Sequence, residues 1–209
     1  MVRQQRKFKP RSRPSRELNL ESIGPNDSQK IQPPVKDGNF WKIPAPLSTR
    51  LYEKSALGFR CDDGSIRLTA SEVLFCHWHR HLPLPTTSWL DDELRKNPRL
   101  ISEAIIMDVG RNGGEMIVPT IHRPAEEQLA WGVRWHRDRN HLSEMYQASV
   151  SIATTHDELD WASLLNWCRN CSDSNVDSEL FVIDDELDVT MYKIDLIEPN
   201  GNLRCWEDI

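Results

Sequence analysis

The sequence predicts an α/β fold in which helices cover a sheet, and three observations carry that prediction. Apolar residues recur at helical spacing in "LTASEVLFCHWHRHLPL" and in "DELDWASLLNWCRN". Short runs of strand character, "EMIVPTI", "YQASVSIA" and "ELFVIDDELDVTMYKIDLI", lie between and after the helical stretches. From about residue 100 the expected order is helix, strand, irregular segment, strand, helix, strand, strand. That alternation suits a sheet flanked by helices.

Residues 1–37 are rich in Arg, Ser, Pro, Asn and Gln and offer no periodic apolar face. They are expected to form a disordered basic arm, with "QPPVKDG" as its last punctuation. Order is expected from residue 38, where "NFWKIPAPLSTRLYEKSALGF" has the aromatic and aliphatic content of short strands. In "RCDDGSIRL", Asp63 and Gly64 mark a tight turn that leads into a strand. Thr69 and Glu72 then form a capping box, in which hydroxyl and carboxylate satisfy the orphan N–H groups of a helix start. Val73, Leu74 and Trp78 are placed on one face behind it, and Pro83 ends the helix. The next helical stretch is interrupted near Pro98, keeps its spacing through Leu100, Ala104 and Met107, and closes at Gly113-Gly114. The expected boundaries are an arm at 1–37, one domain at 38–98 and a second at 99–209.

The 209 residues are 38% hydrophobic and 28% charged with eight Trp, the composition of a globular chain of one or two domains. No apolar stretch approaches the roughly 18 to 20 residues that cross a bilayer, and the N-terminus lacks the apolar core of a signal peptide. An intracellular location is therefore expected, cytoplasmic, or nuclear if the source is eukaryotic. Five Cys, an odd number, argue against a complete disulfide framework and fit a reducing compartment. The net charge of −6 hides an asymmetry, because "MVRQQRKFKPRSRPSR" holds seven Lys or Arg and no acid. Arg3, Arg6, Lys7, Lys9, Arg11 and Arg13 are candidate contacts to RNA phosphates. A solvated terminus explains the same letters.

Further along, "WGVRWHRDRNH" interleaves Trp131, Arg134, Trp135, Arg137 and Arg139. Guanidinium and indole groups so mixed stack on splayed bases and contact phosphates, which makes Arg134, Trp135, Arg137 and Arg139 RNA-binding candidates. A loop anchored in the core by its Trp residues is the bland alternative. Cys76, His77, His79 and His81, with Cys168 and Cys171, supply zinc-type ligands. Only Cys76 and His79 share a helix face, so buried Cys and surface His are the simpler reading. No metal or other cofactor is expected, and His122, His136, His141 and His156 are scattered. The last hairpin has an acidic tip, Asp184, Asp185, Glu186 and Asp188, with no Gly, Pro or Asn to ease its turn.

Three stretches in the same order resemble the tRNA splicing (tRNA-intron) endonuclease family, over about residues 48 to 198. "LYEKSALGFRCDDGSIRLTASEVLF" resembles its N-terminal domain, where a short Leu-Tyr strand, a Gly-containing strand and a turn precede "L-x-L-[ST]-x-x-E-[AV]-L-[FY]". "DVGRNG" before "EMIVP" is similar to the family's "D-L-R-x-R-G" before a strand, and "IDDELDVTMY" to its "V-D-E-E-G-D-V-T-Y-Y" turn. The resemblance implies a small α/β N-terminal domain followed by a catalytic-like domain with a mixed sheet flanked by helices.

Family enzymes cut RNA without a metal, using Tyr, His and Lys as base, acid and phosphorane-stabilising cation. Here Trp131 falls at the Tyr position, His141 is the nearest His but early, and "CSDSNVDSE" offers no Lys or Arg. The implied role is a structural, non-catalytic subunit that assembles with other endonuclease subunits around precursor tRNA. Asp184, Asp185, Glu186 and Asp188 would enter a basic cleft of a neighbouring subunit, while the strand carrying Met191, Tyr192 and Ile194 pairs across an interface. Leu187 stands where the family usually has Gly. Two alternatives stay open: an active metal-independent homo-oligomeric endonuclease using His141 and Tyr146, and a zinc-dependent RNA-binding module.

Overall fold

The computed structural model describes residues 6–7, 31–120, 129–136 and 146–195. Arg3, Lys9, Arg11, Arg13, His122, Arg137, Arg139 and His141 lie outside the described residues. Within them the chain is a mixed α/β protein with two sheets and five helices.

The smaller sheet is antiparallel and uses β2 (Val35–Asp37), β3 (Phe40–Ile43), β4 (Phe59–Arg60) and β5 (Ile66–Leu68), in the order β2-β3-β5-β4. Four helices follow the chain around and beyond it: α1 (Leu47–Ser55), α2 (Ala70–Arg80), α3 (Trp89–Lys96) and α4 (Leu100–Gly113). Ile43, Leu51, Leu57, Leu68, Leu74 and Phe75 are buried in their shared core. The capping box forms as expected: the backbone N–H of Glu72 donates to Thr69 Oγ1, and that of Thr69 donates to the Glu72 carboxylate. Glu72 is itself buried and accepts a further bond from the Gly58 N–H at 2.7 Å, which ties the loop before β4 to the helix start. The helix break near Pro98 is present between α3 and α4.

Three expectations need correction here. Leu51 and Tyr52 lie in helix α1 rather than in a short strand. One turn separates Leu47 from Leu51, and Ala56 stops the helix in the left-handed region with φ 48. The Leu57 N–H then reaches back to the Leu51 carbonyl at 3.1 Å, closing the end as a Schellman turn. Trp78 does not share the buried face of Val73 and Leu74; it is 40% exposed. The arm expected at 1–37 contains ordered strand at two places, since Val35–Asp37 pairs with β3 and Arg6–Lys7 forms β1. Asp37 holds its register through a 2.7 Å ion pair with Arg67.

The larger sheet has the order β1-β10-β9-β8-β7-β6. Its strands are β6 (Glu115–Pro119), β7 (Gly132–His136), β8 (Ala148–Thr154), β9 (Asp177–Ile183) and β10 (Val189–Ile194), with β1 at the edge. Only β8 and β9 run parallel, joined by α5 (Trp161–Asp173). Parallel neighbours need such a crossover, and Asp160 starts this one by accepting N–H bonds from Ala162 and Ser163. The segment expected to be irregular between β6 and β8 therefore holds a strand, β7, which pairs with both.

Helix α4 serves both sheets. Leu100, Ala104 and Met107 enter the smaller core, while Ile106 packs with Ile117, Val150, Ile152 and Phe181 of the larger sheet. Gly110 permits that approach, because a Cβ there would press onto the Ile117 side chain, with Cγ1 at 2.8 Å. On the other face, Leu164, Trp167, Cys168 and Cys171 of α5 form a separate cluster with Ile194 against it. The Trp167 indole N–H donates to Ser149 Oγ at 2.9 Å in the buried layer between α5 and β8. No helix among the described residues is long and apolar enough to cross a membrane.

Candidate functional site

The densest polar arrangement sits on the α4 face of the larger sheet, at the start of its parallel pair. Register places Ile117, Arg134 and Ala148 side by side on β6, β7 and β8, and Glu179 beside Val150 one pleat further along. Residues paired across strands, and those two apart, share a face. Arg134 is thereby aimed at Glu179 and forms a forked contact: Nε to Oε2 and Nη2 to Oε1, both 2.7 Å. Its remaining nitrogen donates to Glu115 at 3.0 Å and to Gln147 at 3.2 Å. Burial alone would pull the Arg134 pKa down; the hydrogen bond and charge of Glu179, with the charge of Glu115, outweigh it and hold the pKa above its ordinary value. Bidentate geometry and low exposure mark a fixed structural ion pair.

Around this clamp the other groups are also engaged. Trp135 and Tyr146 meet edge to face, with ring centroids 6.3 Å apart at 86°. Lys193 on β10 pairs with Asp177 at 2.8 Å, and the Ser178 hydroxyl donates to the Ile194 carbonyl. Two cations, Arg134 and Lys193, thus face three carboxylates: Glu115, Asp177 and Glu179. The start of β9 is acidic, and both of these cations are paired.

Arg134, expected to contact RNA, has its guanidinium bonded to Glu179, Glu115 and Gln147. The sequence held one signal for this, a Glu inside the apolar run "SELFVI". A charged residue in a buried strand implies a partner, although not which one. Trp131 lies just before β7, is half-buried, and packs against both the smaller core and the α4 cluster. Its backbone N–H donates to the Val150 carbonyl at 2.8 Å.

The acidic tip joins β9 to β10. Asp184 makes the turn that no glycine provides: its Oδ1 accepts the N–H groups of Glu186 at 3.0 Å and Asp188 at 2.9 Å. Leu187, the next to last residue of the tip, takes the left-handed φ of 64. Asp185, Glu186, Leu187 and Asp188 are exposed. Asp185 also faces His156 Nε2 at 3.0 Å across the surface. On β10, Met191 leans on the α4 cluster and Ile194 on the α5 cluster, with Tyr192 half-buried.

The zinc-type residues are not gathered. Cys76 is buried in the smaller core, whereas Cys168 and Cys171 are buried beneath α5. His79 lies 3.4 Å from Asp108, and His77 Nδ1 lies 2.8 Å from the Leu82 carbonyl. Among the described residues no group of three or more His, Cys, Asp or Glu is placed to hold a metal ion. Burial raises the Cys76 thiol to about 12, far from a ligating thiolate at neutral pH. His136 lies at the end of β7. No protein-family model matches the chain, and no curated protein does.

Proposed function

We propose that this chain is a structural, non-catalytic subunit of a tRNA splicing endonuclease. It assembles with catalytic subunits to bind and cleave intron-containing precursor tRNA. The observation that carries the reading is the acidic start of β9, where Asp177, Ser178 and Glu179 occupy the strand entry and Arg134 and Lys193 are both paired. Metal-free RNA cleavage requires a base for the 2′-hydroxyl, an acid for the leaving oxygen and a cation for the phosphorane. Among the described residues, a phosphate brought to this end would meet more negative than positive charge. Trp131 just before β7 and Trp135 within it are indoles that relay no proton.

The same reading gives the tip a task. Asp185, Glu186 and Asp188 project from a turn that Asp184 makes rigid, so their charge is presented without ordering a loose loop at contact. A basic cleft on a neighbouring subunit is the complementary partner, with the field steering the encounter. Arg6 and Lys7 keep their proposed RNA role, with their backbone paired to β10.

The test is cleavage of an intron-containing precursor tRNA, in EDTA, by the purified chain alone and by the complex recovered with it from its native source. The complex is expected to cut and the lone chain is not. Efficient cleavage by the lone chain, lost on His141→Ala, would replace this reading with that of an active endonuclease. Recovery of the native protein without any nuclease subunit would remove the assembly claim.

A further inference from the structure

Helix α5 is apolar on two sides, and only one of them is covered. Leu164, Trp167, Cys168 and Cys171 form the buried side, packed with Ile194 of the larger sheet. Trp161, Leu165 and Arg169 follow one another at four-residue spacing and form a second stripe. Trp161 is 71% exposed and Leu165 49%, and Arg169 is exposed as well. Among the described residues no other large apolar side chain is as open as Trp161. The indole is not needed to start the helix, because Asp160 does that by accepting the N–H groups of Ala162 and Ser163. A polar residue would serve the fold equally well at 161, so an indole held in water there marks a contact surface.

The order of groups along that surface says what covers it. From its N-terminal end the stripe runs from exposed carboxylates at Glu158 and Asp160, through Trp161 and Leu165, to the guanidinium of Arg169. Turned end for end, this order is its own complement. In two copies laid antiparallel, with Leu165 on Leu165 at a two-fold axis, each Arg169 reaches Trp161 of the other copy. The two positions lie equally far from the axis, as an isologous contact requires. There the guanidinium finds an indole face and, within one turn, the carboxylates of Glu158 and Asp160. A parallel arrangement would set Arg169 against Arg169 and acid against acid. A basic partner would be repelled by Arg169, and an RNA phosphate by Glu158 and Asp160.

We propose that the outer stripe of α5 is a self-association face, on which α5 of a second copy of this chain lies antiparallel about a two-fold axis at Leu165. The inference goes beyond the endonuclease reading and uses neither the β10 strand nor the acidic tip. The patch is small. Full burial of a Trp removes about 150–250 Å² from water, so each copy contributes well under the roughly 800 Å² of a standard interface. The dimer is accordingly weak, with a dissociation constant on the order of 10–100 µM.

The experiment follows the full chain by sedimentation over concentrations that bracket this constant, without RNA or partner subunits. The protein is expected to pass from monomer to dimer. Leu165→Glu sets two carboxylates together at the axis and is expected to weaken association by about tenfold or more. Its circular dichroism spectrum is expected to stay unchanged, because Leu165 belongs to none of the buried clusters. Arg169→Glu is expected to weaken association too, and Arg169→Glu with Glu158→Arg to restore it, since the swap exchanges both ends of the stripe. Association retained by Leu165→Glu, or not recovered by the swap, overturns the arrangement. A chain that stays monomeric throughout overturns the proposal, as does association that emerges only on removal of residues 196–209, which would give the face to that tail. Reversal of Asp185, Glu186 and Asp188 to Lys is expected to leave this dimer intact; its loss would move self-association to the tip and overturn the proposal. None of these outcomes depends on the cleavage assay, so a failed α5 face and a failed endonuclease reading are told apart.

Discussion

Replacing Arg134 by Met separates the two roles this residue was open to. The Glu179 side chain is 4% exposed and that of Glu115 is 22% exposed, so losing the guanidinium strands Glu179 in a dry site and leaves Glu115 partly solvated. Removing one partner of a buried pair costs about 3–5 kcal/mol, and the partial exposure of Arg134 places this case near the low end, at roughly 3 kcal/mol. Adding Glu179→Leu removes the orphaned charge and fills the space beside Val150 and Phe181. The double variant is therefore expected to lose only about 1 kcal/mol relative to the starting protein. The coupling between the two sites is then roughly 2 kcal/mol or more. Urea unfolding of the four proteins at pH 7, followed by both tryptophan fluorescence and far-UV circular dichroism, gives these differences from the midpoints at a common slope. A loss below about 1 kcal/mol for Arg134→Met, or additive single losses, refutes the clamp. Loss of RNA binding without loss of stability would return Arg134 to a phosphate contact.

Other perturbations probe separate links. Thr69→Ala removes the hydroxyl half of the capping box and is expected to cost about 1 kcal/mol in urea unfolding, with α2 fraying first. Burial pushes the Glu72 carboxyl above its ordinary 4.5, although the N–H groups of Thr69 and Gly58 pull the other way. Between those two values the folded state holds a proton that the unfolded state has released, so stability falls as pH rises through the folded value. The stability gap between the native protein and Glu72→Gln is therefore expected to be largest below about pH 4.5 and to shrink above it. Urea midpoints from pH 4 to 8 check this, and a constant gap contradicts it. Gly110→Ala drives a methyl into Ile117 and is expected to cost about 1–3 kcal/mol, partly recovered by Ile117→Val. Reversing Asp185, Glu186 and Asp188 to Lys while keeping Asp184 is expected to abolish co-purification with partner subunits and leave the circular dichroism spectrum unchanged. Retained co-purification rejects the docking role of the tip.

Local chemistry made much of this fold readable. The Thr69–Glu72 box, the Pro98 break and the Gly113-Gly114 stop each act within one turn of helix, so the letters alone place α2, α3 and α4. The same holds for β8, α5 and the β9–β10 hairpin, whose apolar runs are long enough to fix a period. What escaped was decided at a distance. "LSTRLYEKS" lies in a stretch whose aromatic and aliphatic content was read as short strands, yet with Leu51 buried in the smaller core it is a helix. In β7 an inward Arg hides the strand period, and its partner lies 45 residues further on. Asp184 looked like one more repelling carboxylate until its two backbone bonds appeared. At the candidate site the Glu inside "SELFVI" was legible, whereas its pairing with Arg134 was not.

The spacing of Arg134 and Glu179 also sets a timetable. As the chain is synthesised, β6 and β7 are complete while Glu179 is still 43 residues from being added. Until then Arg134 has Glu115 of β6 beside it but lacks its forked partner, and the β6–β7 pair has reason to stay in water. Arrival of β9 supplies the carboxylate, the parallel neighbour for β8 and the second wall of the α4 layer together. Closure of the larger sheet is thus deferred to the last quarter of the chain, whereas the core built on α1, α2 and α3 has all its strands by Leu68. A ribosome-bound chain halted before Glu179 would present a finished first half and a second half waiting for one charge.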